Sequence, residues 1–167
     1  MLKIKDKINT WIFDLDNTLY SADSGIFQQV HILMGEFISK YLNMDIKDAK
    51  KLQGKYYKQH GTTLRGLMDN HGIDPDDFLS EVHKLDYSIV GENKVLNAEL
   101  EKLEGRKIIY TNANREHTDN VLHQLKLTHM FNEVFDIKSA NYIPKPEYGP
   151  YEQIIKDFNI DPKTSIM

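Results

Sequence analysis

The chain has no cysteine among its 167 residues, which excludes disulfides, thiolate nucleophiles and zinc–cysteine centres together. No run approaches the roughly 20 apolar residues that a membrane-spanning helix needs. The opening "MLKIKDKINT" is charged and lacks the apolar stretch of a secretory signal. An excess of one charge is also missing: 25 acidic residues stand against 21 basic ones, a net charge of −4. Nucleic acid or an anionic membrane would find no broad electrostatic footprint there, so an anionic ligand must be drawn in by a few placed groups. The seven histidines form no H-E-x-x-H or comparable ligand pattern, and His117, His123 and His129 read as surface or interface residues. Repeats, heptads and low-complexity stretches are absent too. The expectation is a soluble, cytoplasmic protein with neither nucleic acid nor membrane as partner.

What the chain does have is an alternation of elements. Residues 8–15, "INTWIFDL", are short, β-branched and aromatic, as in a strand buried on both faces of a parallel sheet. "KIIYT" (107–111) and "EVFDIK" (133–138) read the same way, and "TSIM" (164–167) opens a fourth run. Between them, "HTDNVLHQLKL" places Val121, Leu122, Leu125 and Leu127 on one helical face, and "GPYEQIIKDF" does so with Tyr151, Ile154, Ile155 and Phe158. Strand, helix, strand, helix, strand is the order of a parallel α/β fold.

Residues 20–92 break that rhythm. "IFQQVHILMGEFISKYL" carries apolar side chains at helical spacing, and "IKDAKKLQGKYYKQHG" and "DPDDFLSEVHKLDY" suggest two more helices, the latter with Asp74 as N-cap and Pro75 in the first turn. This is far longer than an ordinary strand connection. It reads as a small helical domain, 20–92, inserted into an α/β core of residues 1–19 and 93–167, with linkers near Ser21–Gly25 and Gly91–Lys94.

Three features fall at strand ends. Asp14 and Asp16 follow the first strand, Thr111 and Asn112 follow the second, and Lys145 sits between Pro144 and Pro146. Ligands of open α/β sheets bind outside the carboxyl ends of the strands. An acid pair, a hydroxyl beside a helix start and a fixed cation on one crevice make a phosphate site with a metal in front of it. Two carboxylates that close need a cation, a proton or a partner.

"FDLDNTLY", "IIYTNAN" and "PKP" resemble, in order, the first three motifs of the haloacid dehalogenase-like hydrolases, with the inserted block matching the cap of one branch. "GTTLRGLMDNHGID", "FDIKSANYIPKPE" and "DPKTSIM" further resemble the pyrimidine 5'-nucleotidase group. The resemblance implies a Rossmann-like parallel core with an inserted helical cap. It implies a Mg²⁺-dependent phosphomonoesterase acting through an aspartyl-phosphate, on UMP or CMP. Asp14 is implied as nucleophile and metal ligand. Asp16 is implied as metal ligand through its backbone carbonyl and as acid–base through its side chain, its pKa raised by the neighbouring carboxylate. Thr111 and Asn112 are implied at the phosphate, and Lys145 as the charge-neutralising catalytic cation. Thr62, Thr63 and Arg65 of the cap are expected to read the substrate, a small phosphorylated metabolite. An acid two residues after the nucleophile fits phosphate-ester hydrolysis, since the dehalogenase branch lacks it. The family's fourth motif, an acidic pair after the strand that "TSIM" begins, is not reached by Met167, so the core is expected to be truncated at its C-terminus. The rival readings are a phosphatase for another small phosphoester such as a sugar phosphate, and a catalytically impaired fragment or phospho-accepting interaction domain.

Overall fold

The computed structural model describes residues 8–167; the segment 1–7, counted above with the core, lies outside the described residues. Four strands, β1 (Thr10–Phe13), β2 (Arg106–Tyr110), β3 (Glu133–Phe135) and β4 (Ser165–Ile166), pair in parallel in the order β3-β2-β1-β4. Both faces of this sheet are covered, which is why its strands read as continuous apolar runs. On β2, Ile109 packs with Leu15 and with Val121, Leu122 and Leu125 of α6 (Arg115–Gln124). Its neighbours Ile108 and Tyr110 point the other way, against Ile154 of α7 (Tyr148–Asp157). A fully buried aliphatic side chain of this kind contributes about 1.5–3 kcal/mol.

Helices α1 (Ile26–Tyr41), α2 (Ile46–His60), α3 (Thr63–His71) and α4 (Pro75–Val82) stand between β1 and β2. They close around their own apolar cluster, centred on Ile38, Leu67, Phe78 and Val82. Sequence reasoning found three of the four. The third, α3, is "TLRGLMDNH", whose nine residues are too short for a clear periodic signal. Gly66 lets it lie close on α2, because a β-carbon there would run into the Tyr56 ring. Asp74 caps α4 as expected, accepting from the backbone N–H groups of Asp76 and Asp77.

The apolar packing changes hands inside the segment read above with the cap. Leu85, Tyr87 and Val90 pack with the sheet's cluster, as do Tyr20 and Ile26 on the way in. Helix α5 (Lys94–Glu101), unread in the sequence, follows and packs there through Leu96 and Leu100. Contacts also run the other way: Ile137, just after β3, joins the cluster of α1–α4, and Asp76 of α4 takes an ion pair from Lys138 and a hydrogen bond from Tyr142, both at 2.8 Å. Among the described residues, no helix is long and apolar enough to cross a membrane.

Candidate active site

Because the strands are parallel, the residues following β1, β2 and β3 emerge at one edge of the sheet. The turn after β1 is tight. Leu15 is fully buried in the core, while Asp14 and Asp16 on either side of it line a cleft. Asn17 takes a left-handed conformation (φ 59°), which asparagine tolerates better than most residues, and the Thr18 and Leu19 N–H groups close back on the Leu15 carbonyl.

Asp14 Oδ1 accepts from the Leu15 N–H at 2.9 Å and from Lys145 Nζ at 2.7 Å. Its Oδ2 has only a 3.5 Å approach from the Thr18 hydroxyl, and the side chain is 42% exposed. One oxygen is thus anchored and the other is open to the cleft. Lys145 is held at both ends. Its ammonium also donates to the Tyr110 carbonyl at 2.7 Å and lies 4.9 Å over the Tyr110 ring. Its backbone N–H donates to Asn112 Oδ1 at 2.8 Å, and its carbonyl accepts from Asn112 Nδ2 at 3.4 Å. The Asn112 side chain therefore clamps the lysine's backbone. Thr111 is buried and its hydroxyl accepts from the Ala113 N–H at 3.0 Å; the cap of α6 is Asn114, which accepts from the His117 N–H. Asp136, buried after β3, accepts from the Arg115 N–H and from Ser139, fixing the start of α6 against the next loop.

Asp16 differs from expectation. Its Oδ1 accepts from the Tyr20 hydroxyl at 2.6 Å and meets His117 Nε2 at 2.7 Å. Burial pushes its pKa up, but the hydrogen bond and charge of His117, helped by Tyr20, overcome this and hold the carboxyl below its usual value. The expected rise from Asp14 is therefore corrected: donors, not the neighbouring acid, decide the sign. His117 is also corrected, being 1% exposed rather than on the surface, whereas His123 and His129 are exposed. The signal was available in the spacing, since His117 lies one turn before the buried Val121 on the same face of α6.

The cleft has a volume of about 790 Å³ and is walled on its far side by α1–α4, including Phe27, His31, Tyr57, Thr62 and Thr63. Thr62 caps α3, accepting from the Arg65 N–H at 3.1 Å. Thr63 is buried and donates to the Gln53 carbonyl at 3.2 Å. Arg65 pairs with Asp69 one turn on. The structure thus brings Asp14, Asp16, Thr111, Asn112 and Lys145 to one end of the cleft, with Thr62 and Thr63 on the opposite wall; Arg65 is not among the lining residues.

The model of the haloacid dehalogenase-like hydrolase family matches residues 11–167. The chain belongs to that family. "Phosphate metabolism protein 8" of Saccharomyces cerevisiae is 31% identical over 64 residues, 38% of this chain and 20% of that protein. The match therefore spans about a fifth of the curated relative's length. A predicted phosphatase from Clostridium acetobutylicum is similar in fold at a TM-score of 0.56 and 17% identity, over 96% of this chain and 74% of that one. L-2-haloacid dehalogenase from Xanthobacter autotrophicus is similar at 0.53 and 16%, over 95% and 68%. At such identities the two structures share the fold.

Among the described residues, no three His, Asp or Glu side chains gather to hold a metal ion. Asp14 and Asp16 both line the cleft, and the oxygens they carry, carboxylate and backbone carbonyl, are hard donors of the kind magnesium takes while keeping several waters. Chemically they fit that ion.

Proposed function

We propose that this hydrolase cleaves phosphomonoesters through an aspartyl-phosphate on Asp14. The observation that carries the reading is the Asp14–Lys145 contact at 2.7 Å in a cleft shared with a second carboxylate, Asp16. Lys145 holds Oδ1 and leaves Oδ2 as the attacking atom. As the Asp14 Oδ2–phosphorus bond forms, the bond from phosphorus to the leaving oxygen breaks. The Asp16 carboxyl gives that oxygen its proton, then takes one from the water that cleaves the aspartyl-phosphate and frees inorganic phosphate. An arriving phosphate dianion favours the protonated form of Asp16, against the donors that lower its pKa. Lys145 offsets charge on the transferring group, and Thr111 supplies a hydroxyl to it. Mg²⁺ held by the Asp14 carboxylate and the Asp16 carbonyl would relieve the repulsion between carboxylate and phosphate.

The substrate we propose is a pyrimidine 5'-nucleotide. Support comes from the "GTTLRGLMDNHGID" and "FDIKSANYIPKPE" stretches and from a cleft of about 790 Å³, a size that suits a small organic ligand. Aromatic residues Phe27 and Tyr57 on the helical wall offer faces on which a base can stack.

The test is phosphate release from UMP, CMP, purine nucleotides and sugar phosphates, with and without Mg²⁺. Preferential Mg²⁺-dependent turnover of UMP and CMP supports the whole reading. Preference for a sugar phosphate replaces the substrate and keeps the chemistry. No release from any phosphoester overturns both.

A further inference from the structure

His117 has no part in the mechanism above, yet it is a buried histidine aimed at the cleft. We propose that His117 is a positioning residue for Asp16, fixing the carboxylate with Oδ1 held and Oδ2 free for the leaving oxygen. This role rests on the phosphomonoesterase reading.

The geometry constrains the proton. Asp16 Oδ1 already accepts from the Tyr20 hydroxyl, so this oxygen is the acceptor of the pair. The nitrogen facing it at 2.7 Å, His117 Nε2, is the donor. The other ring nitrogen, Nδ1, lies 3.0 Å from the Tyr87 hydroxyl, and that hydroxyl is also 3.1 Å from the His83 carbonyl. Whichever of these two receives the Tyr87 proton, Nε2 donates to Asp16. Tyr20 donates to the same Oδ1 at 2.6 Å. Two donors on one oxygen pin the rotation of the carboxylate, and among the described residues no hydrogen bond is made to Oδ2. The ring is backed as well: His83, one residue past α4, stacks on it with centroids 4.5 Å apart and planes 27° apart. His83 and Tyr87 both belong to the segment leading out of the helical block, so that block reaches the Asp16 carboxylate through one imidazole.

A fixed acid matters only where the leaving group needs a proton. The leaving group of UMP is the 5'-oxygen of uridine, a poor alkoxide unless protonated, whereas that of p-nitrophenyl phosphate is a stable phenolate. His117→Leu should lower kcat on UMP by roughly 10–100-fold, a share of the about 10²–10⁴ that a general acid supplies. KM for UMP should stay within about threefold, and so should kcat/KM on p-nitrophenyl phosphate, which reports only formation of the aspartyl-phosphate, a step that needs no acid with that leaving group. His117→Gln, which keeps a donor, should recover most of the loss. In an Asp16→Ala background, His117→Leu should cost nothing further.

Equal losses of kcat/KM on both substrates, or losses that add to those of Asp16→Ala, overturn the role while leaving the phosphatase reading intact. A wild-type chain inactive on every phosphoester overturns the reading and the role together. Should His117→Leu fail to fold, the imidazole Nε2–H resonance of the wild-type protein decides. A protected proton that shifts in Asp16→Ala supports the contact, and its absence overturns it.

Discussion

At the sheet edge of the cleft, side chains reach across the sequence. Lys145 meets Asp14 from 131 positions away and His117 meets Asp16 from 101. On the helical wall the reach is shorter: Thr62 accepts from the Arg65 N–H three residues on, Thr63 donates to the Gln53 carbonyl ten residues back, and Gln53 meets His31 at 22 positions. The first pattern holds polar groups against one point, at the expense of bringing like charges together. The second builds a helix and a surface. A cleft organised this way has rigid chemistry at one end and, at the other, a wall whose aromatic faces are free to meet a ligand.

The sharpest way to break that contrast is Asp14→Asn. The amide keeps the shape and can still accept from Lys145 and the Leu15 N–H, so folding should be intact by circular dichroism. Turnover should fall by roughly 10³-fold or more, as when other enzymes lose their nucleophile. Appreciable surviving phosphate release would remove Asp14 from the role and make the wiring around it structural.

The same contrast explains what could be read in the sequence. "TWIFDLD", "IIYTNAN" and "PKP" were legible because a strand buried on both faces and a site residue at its end are written in contiguous residues. That Asn112 clamps the Lys145 backbone was not, since the two lie 33 positions apart and nothing in either segment names the other. His117 was misread for a related reason. "REHTDN" is polar on every side, and only the step of one helical turn to Val121 hints that the ring faces inward. Helix α5 has no signal of that kind: its eight residues are barely two turns, and unlike the equally short α4 it has no proline in its first turn to mark its start.

His83 sits where the two ends of the molecule meet, and pH probes that seam. Burial, reinforced by the His117 ring, pushes its pKa from 6.5 down to about 3, with Asp16 pulling weakly the other way. Its Nδ1 is buried without a partner among the described residues. Below pH 6.5 the unfolded chain gains a proton that the folded chain refuses. Stability should therefore fall as pH drops from about 6.5 towards 3, by up to about 1.4 kcal/mol per pH unit. The lowered pKa of Asp16 works in the same direction, its contribution being present above 3.8 and lost as pH falls further. Urea unfolding at pH 7, 5.5 and 4.5 should trace the decline, and His83→Phe, which keeps a ring against His117, should flatten it. Parallel curves for the two proteins would mean that the seam is open enough for His83 to be hydrated.

The smallest effect is the most discriminating for the helical wall. Thr62 lines the cleft, yet its side-chain oxygen already accepts from the Arg65 N–H as the cap of α3. If capping is its main work, Thr62→Ala should cost about 1 kcal/mol of stability and Thr62→Ser should restore it. KM for UMP should then change by less than about threefold, because the transition-state contacts at the sheet edge are untouched. The opposite result, unchanged unfolding with KM raised about tenfold, would give the hydroxyl to the substrate. It would also show that local hydrogen bonding on this wall does not preclude recognition, and the division between a chemical end and a structural one would fail where the two face each other across the cleft.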